Sequence, residues 1–168
     1  GVRIASLAPG GALLGHAQLC ARANRIAHGL VSDMGVLPGN RVLLRGPNSP
    51  MMAACWFAVV KAGAIAVATM PLLRAGELTA VIDKAQVSHA LCDARLAAEL
   101  DAAQQACPTL RTTVLFASDA GDGIDALARG KPAIFDSVHT AADDTAMIAF
   151  TSGTTGPPKG TMNCHRDS

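Results

Sequence analysis

Aromatic side chains are scarce in this 168-residue chain: they make up 3% of it, with one Trp and no Tyr. A core of stacked rings, common in β-sandwiches, is therefore disfavoured. The interior must be built from Ala, Val, Leu and Ile, which suits a sheet covered by helices. Charge is thin as well, at 16% of residues with a net charge of +1. The Lys and Arg residues are scattered, with no basic stripe and no interleaved aromatics, so nucleic acid is not expected as a partner. No apolar run reaches the ~18 residues of a membrane span. The longest, MMAACWFAVV followed by KAGAIAVATM, is interrupted by Lys61 and Gly63. No signal-peptide pattern follows Arg3, and because the first residue is not Met the true start is expected upstream.

A disulfide framework is missing too. The five cysteines, Cys20, Cys55, Cys92, Cys107 and Cys164, are odd in number and not closely paired. There is no C-x-x-C pair to suggest zinc, and no metal-ligating residue is assigned. The expectation is reduced thiols in a cytoplasmic protein.

Half of the residues are hydrophobic, enough for one domain with a substantial core. Short β-rich runs alternate with helical ones. In HAQLCARANRIAHGLVSDMG, helical spacing places Leu19, Ala23, Ile26, Ala27, Leu30 and Val31 on one face, with Gly35 as the stop. Ser49 followed by Pro50 reads as an N-cap and first helical residue, and the helix ends at Gly63. A further helix is expected over 75–86 and another over 94–106. Strands are expected at 41–46, 64–69, 88–93, 111–117 and 145–151. Residues 118–132, rich in Gly, Asp and Ser, read as a loop with one helical turn at its centre. This alternation predicts an α/β fold: three layers, helix–sheet–helix, around a mainly parallel twisted sheet of the Rossmann-like kind. Ligands of such sheets sit beyond the carboxyl ends of the strands.

That is where FTSGTTGPPKGT falls, from Phe150 to Thr161. It is not a Walker A loop. Counted from Gly153, Pro158 stands where that pattern needs Gly, and Gly160 stands where it needs the magnesium-binding Ser or Thr. The loop still has the chemistry of an anion site. Thr151, Ser152, Thr154 and Thr155 offer hydroxyls. Gly153, Gly156 and Gly160 allow close backbone approach. Pro157 and Pro158 restrict the chain ahead of Lys159, which supplies a point charge. A helix beginning at Thr161 would aim its N-terminus at the same anion.

Other residues read as structural. Trp56 with Met51 and Met52 fits core or subunit packing, and His28 and His89 fit satisfied core histidines. Asp143 and Asp144 point apart as sequence neighbours, in a solvated turn. Cys164 beside His165 does not make a nucleophile pair. His165-Arg166-Asp167 copies the catalytic triplet of protein kinases, but the upstream glycine loop and strand Lys are missing, and the triplet reads as a loose terminus.

TSGTTGPPKG resembles the phosphate-binding signature of the AMP-forming, or adenylate-forming, enzymes. HAQLCARANRIAHGL resembles their first long helix, and VVKAGAIAVATMPL their Lys-Ala-Gly strand entry. NRVLLRGPNSPMMAACWFAVVKAG, LCDARLAAEL and the HRD ending resemble most closely the 2-aminobenzoate-CoA and benzoate-CoA ligases. The resemblance covers about residues 11–168, with His16 where the family usually has Tyr. It implies an acyl-CoA synthetase that joins an aromatic carboxylate to coenzyme A through an acyl-adenylate, using ATP and Mg2+. It also implies that Thr151, Ser152, Gly153, Thr154, Thr155, Gly156 and Lys159 hold the β- and γ-phosphates of ATP. The family's adenine, magnesium, ribose and catalytic Lys sites all follow this loop in chain order. The chain is therefore expected to be one partial α/β subdomain, residues 1–168, inactive alone and holding no catalytic residue. A homodimer is left open. The alternative reading is a stand-alone nucleotide- or phosphate-binding module.

Overall fold

The computed structural model of the chain describes residues 4–6, 14–118, 121–151 and 159–167. Strands β1 (Ile4–Ser6) and β2 (Leu14–Gly15) form a small antiparallel pair ahead of helix α1 (His16–Ser32). There follow β3 (Arg41–Arg45), α2 (Pro50–Lys61), β4 (Ile65–Thr69), α3 (Ala75–Ala85) and β5 (His89–Asp93). The chain continues through α4 (Ala97–Ala106), β6 (Thr112–Phe116), α5 (Ile124–Ala128), β7 (Thr145–Thr151) and β8 (Lys159–Cys164). Among the described residues the main sheet has six strands in the order β6-β5-β3-β4-β7-β8, all pairs parallel except β7 with β8.

The expected α/β architecture is present, and the burial of the strands explains it. Val42, Leu44, Ala66, Leu91 and Phe116 face α1 and α2, whereas Leu43, Val67, Ala90 and Cys92 face α3 and α4. Each of β3, β4 and β5 is thus apolar on both sides, so helices must cover both. Crossover handedness then fixes which helix goes where. From β3 to β4 the chain steps toward β7, with α2 on the first face. From β4 to β5 and from β5 to β6 it steps the opposite way, and α3 and α4 lie on the second. From β6 it returns to β7 along the first face. Its 133–138 segment is tied to α1 by Asn24 Nδ2 donating to Ala133 O (2.7 Å) and by His28 Nε2 at 2.8 Å from Ile134 O.

Local signals behave as physical chemistry requires. Ser49 Oγ accepts the Met52 N–H at 3.1 Å and caps α2, with Pro50 as its first residue. Gly63, at φ +72, ends it. Trp56, Met51 and Met52 pack against the core, as expected of structural residues. Three expectations need correction. Val31 is 42% exposed and not part of the buried face of α1, because that helix ends one residue later and turns away. The helix expected from Thr161 onward is part of the strand β8, because pairing with β7 satisfies its backbone. His165–Asp167 form a 3-10 turn, not a loose terminus: His165 N donates to Asp144 O at 3.0 Å and Arg166 pairs with Asp143 at 2.8 Å.

His89, 2% exposed, lies at the start of β5, its Nε2 donating to Met34 O at 3.0 Å and its Nδ1 2.8 Å from Ser88 Oγ. Burial, opposed by the Met34 hydrogen bond and reinforced by the Arg111 charge, pushes this imidazole below its ordinary 6.5. The folded state therefore binds fewer protons than the unfolded chain, and stability must rise with pH across that range. Urea unfolding is expected to show lower stability at about pH 5.5 than at about pH 7.5. His89→Gln, which retains a donor for Met34 O, should flatten that difference.

Candidate functional site

The carboxyl ends of β3, β4, β5, β6 and β7 lie along one edge of the sheet. In doubly wound sheets a ligand crevice opens where the strand order reverses, here between β3 and β4. Arg45, the last residue of β3, occupies that position and is 1% exposed. Its guanidinium donates to Leu73 O (2.9 Å), Met70 O (3.3 Å) and Leu96 O (3.4 Å). The loop after β4 and the turn after β5 are thereby tied together over the reversal point. Burial pushes the Arg45 pKa down, with Cys92 and Glu99 acting against it; a guanidinium nonetheless stays charged.

The neighbouring charges at this edge are paired. Asp93, its side chain 2% exposed, accepts Arg95 Nη2 at 2.6 Å, Arg95 Nε at 2.9 Å and the Arg95 N–H at 3.0 Å. The Arg95 side chain holds the Asp93 carboxyl below its usual range. Glu99 accepts the Ala75 N–H at 2.8 Å and Arg74 Nη1 at 3.0 Å, and these two bonds, the Ala75 one foremost, hold its pKa down. Buried Cys55 and Cys92 thiols are pushed up to about 12 by burial, which makes them poor nucleophiles at neutral pH.

The phosphate-like loop starts from the next strand over. β7 lies between β4 and β8, and its ladder with β8 runs to a final pair, Thr151 opposite Lys159. Cross-strand partners sit about 5 Å apart at Cα, so the loop leaves and returns at one point of the carboxyl edge. Thr151 and Lys159 are thus brought together, each by its backbone position. Ser152, Gly153, Thr154, Thr155 and Gly156 lie outside the described residues. Just after β4, Met70 and Leu72 are 49% and 82% exposed.

Alternation along β7 sends Ile148 and Phe150 to the α3 face and Met147 to the α1–α2 face. Gly160 lies opposite Phe150. A Cβ there would stand 3.2 Å from the Phe150 ring and 3.3 Å from Ile148 Cγ2. The Gly of the PKG sequence therefore admits the Phe150 ring across β8, a role that its place in a phosphate motif did not reveal. Arg45 and Asp93 were also missed as site-forming residues. The available signal was a charged residue at the end of each of two apolar strands, RVLLR and HALCD.

Among the described residues no group of three or more His, Cys, Asp or Glu side chains is placed to hold a metal. No described helix is long and apolar enough to cross a membrane.

A family model described as AMP-binding enzyme matches residues 3–168. The long-chain-fatty-acid–CoA ligase FadD13 of Mycobacterium tuberculosis is 33% identical over 152 residues, covering 89% of this chain and 29% of that protein. Feruloyl-CoA synthase of Amycolatopsis sp. is 34% identical over 158 residues, covering 93% and 29%. The chain thus spans about three-tenths of the length of these relatives. Among solved structures, ATP-bound MatB from Rhodopseudomonas palustris superposes with a TM-score of 0.81 at 29% identity, over 93% of this chain and 30% of that one. The anthranilate CoA ligase AuaEII in complex with anthranoyl-AMP superposes with a TM-score of 0.89 over 98% of this chain and 32% of that one; at 23% identity it shows the shared fold.

Gly160→Val should force the Phe150 ring off β8 and lower stability by about 1–3 kcal/mol, with Gly160→Ala costing less. Urea unfolding of the two variants measures both; equal stability of Gly160→Val and the parent would remove this packing role.

Proposed function

The chain belongs to the AMP-binding enzyme family, and on that premise we propose that it is the front part of the nucleotide-binding domain of an AMP-forming aryl-CoA ligase. One observation carries the reading: the hydroxyl- and glycine-rich loop springs from the carboxyl edge of the sheet, closed at its base by the Thr151–Lys159 pair. The family resemblance and the relatives that act as CoA ligases support the reaction class. For an aromatic acid the support is the likeness of residues 40–63, 91–100 and 165–167 to benzoate- and 2-aminobenzoate-CoA ligases, together with the feruloyl-CoA synthase relative.

The donor set fits polyphosphate. Thr151, Ser152, Thr154 and Thr155 bring hydroxyls, Gly153 and Gly156 leave backbone N–H groups accessible, and Lys159 adds a positive charge, with no carboxylate in the loop to repel an anion. A free carboxylate is a poor electrophile; its attack on the α-phosphorus of ATP expels pyrophosphate and gives an acyl-adenylate, an anhydride with AMP as a good leaving group. The loop's part is to grip the β- and γ-phosphates. Negative charge grows on the departing pyrophosphate, so hydroxyls, N–H groups and Lys159 fixed there favour the transition state over the bound substrate. The adjacent carboxylates, Asp93 and Glu99, are neutralised by Arg95 and Arg74, which keeps the edge from opposing a polyanion. Mg2+ and coenzyme A belong to the same reading, and no described residue is assigned to either. The location proposed is cytoplasmic.

Two outcomes test this. The 168-residue chain, given ATP, Mg2+, coenzyme A and benzoate or 2-aminobenzoate, should release no pyrophosphate above background; steady release would show a complete site within it. In a protein of the relatives' full length, Lys159→Ala should lower kcat about ten- to a hundredfold, the worth of one charge-assisted contact of about 1.5–3 kcal/mol. The KM for the acid should hardly change. A tenfold rise in that KM at constant kcat would place Lys159 against the acid instead of the phosphates.

A further inference from the structure

On the outer side of α1, Arg22 and Arg25 stand three residues apart, and among the described residues neither forms an ion pair. They face α5 and the turn after it across a cleft of about 360 Å³, whose far wall carries Arg129 and Lys131. Its floor is apolar: Ile26 and Ile124 are each 1% exposed. We propose that this cleft binds a small phosphate-bearing anion, at a site separate from the hairpin loop.

Charge carries the argument. The lining holds four cations and one carboxylate, Asp125, so it sums to 4 − 1 = +3, although the whole chain sums to only +1. Lys131 is the one cation already neutralised: its Nζ lies 2.7 Å from Asp33 Oδ1 and 2.9 Å from Ser32 Oγ. Arg129 gives one bond to Gly121 O at 3.3 Å and keeps its other N–H donors. Three guanidiniums therefore border one concavity. Like charges three residues apart on a helix repel, and an anion seated between them would turn that repulsion into attraction. Guanidinium forks match phosphate oxygens in pairs, and the apolar floor strengthens each contact by keeping water from its lower side. The volume suits a small metabolite or a phosphate ester and is too small for a macromolecule.

The cleft is built from α1, α5 and the turn after α5, and none of its lining residues belongs to β7 or β8. α5 follows β6, which lies four strands from β7 in the sheet order. The proposal therefore stands whether or not the ligase reading does.

Pyrophosphate is the probe. In a titration of the isotope-labelled 168-residue chain followed by amide NMR shifts, residues 22–26 and 124–131 should move as one set. Residues flanking the hairpin loop should form a second set with its own midpoint. Arg22→Gln with Arg25→Gln should weaken the first set at least tenfold and spare the second; Lys159→Ala should do the reverse. Arg129→Gln, on the opposite wall, should weaken the first set severalfold without touching α1. Raising NaCl from about 50 to about 300 mM should weaken it as well. Shifts confined to the hairpin, or a first set indifferent to both arginine variants, would overturn the cleft proposal and leave the hairpin reading standing. Loss of the hairpin set alone would do the opposite.

Discussion

Two-sided burial of the central strands is the constraint from which the rest of this structure follows. β3, β4 and β5 carry Val, Leu, Ala and Cys on both faces, and Val42, Leu43, Ala66, Val67, Ala90, Leu91 and Cys92 are all fully buried. At about 25 cal/mol per Å² of apolar surface, exposing either face would cost more than a domain of this size can spare. Helices must lie on both sides, parallel strands follow from the crossovers, and single-handed crossovers assign each helix its face. The same logic sends five carboxyl ends to one edge. The edge is thus a by-product of burying the sheet, before any chemistry is placed on it.

At that edge the chain does something the general architecture does not require. The reversal point between β3 and β4 is closed by Arg45, whose guanidinium is held by three loop carbonyls and, among the described residues, by no carboxylate in ion-pair contact. Burying a cation costs several kcal/mol, which charge-assisted bonds of about 1.5–3 kcal/mol each offset. The result is a fixed spacing between the loops after β4 and β5. With the reversal point filled, the edge of the sheet beyond β4 is completed by β7, which has no parallel strand beyond it. Instead the chain turns back as β8, so the loop is anchored on both sides by one ladder.

The outer face of α1 shows how the scaffold and the charges can be read apart. Ile26 and Leu30 fix the helix against α2 and α5, and Gly29 lets it approach Leu127 more closely than a Cβ would allow. Arg22 and Arg25 take no part in that packing. Their position over Ile26 and Ile124 is set by burial of the apolar residues beside them, which leaves the two guanidiniums together with no ion pair to either among the described residues.

By itself the sequence determined the strand–helix alternation, the capping of α2 by Ser49 and the closing glycine of that helix. All of these depend on contacts within a few residues or on periodicity, which a linear string preserves. Thr145–Thr151 was legible to the residue because apolar alternation and a turn signal bound it on the two sides. Tertiary structure alone decided that residues 159–164 pair back on β7 in place of forming a helix. A strand and a helix of this composition differ little in local preference, and the unpaired edge of β7 tips the balance. It decided too that Gly160 serves Phe150, that Arg45 closes the crevice, and that Arg22 and Arg25 meet Arg129. Each of these joins residues far apart in the chain, or across a ladder, whose approach depends on packing geometry that no local pattern encodes.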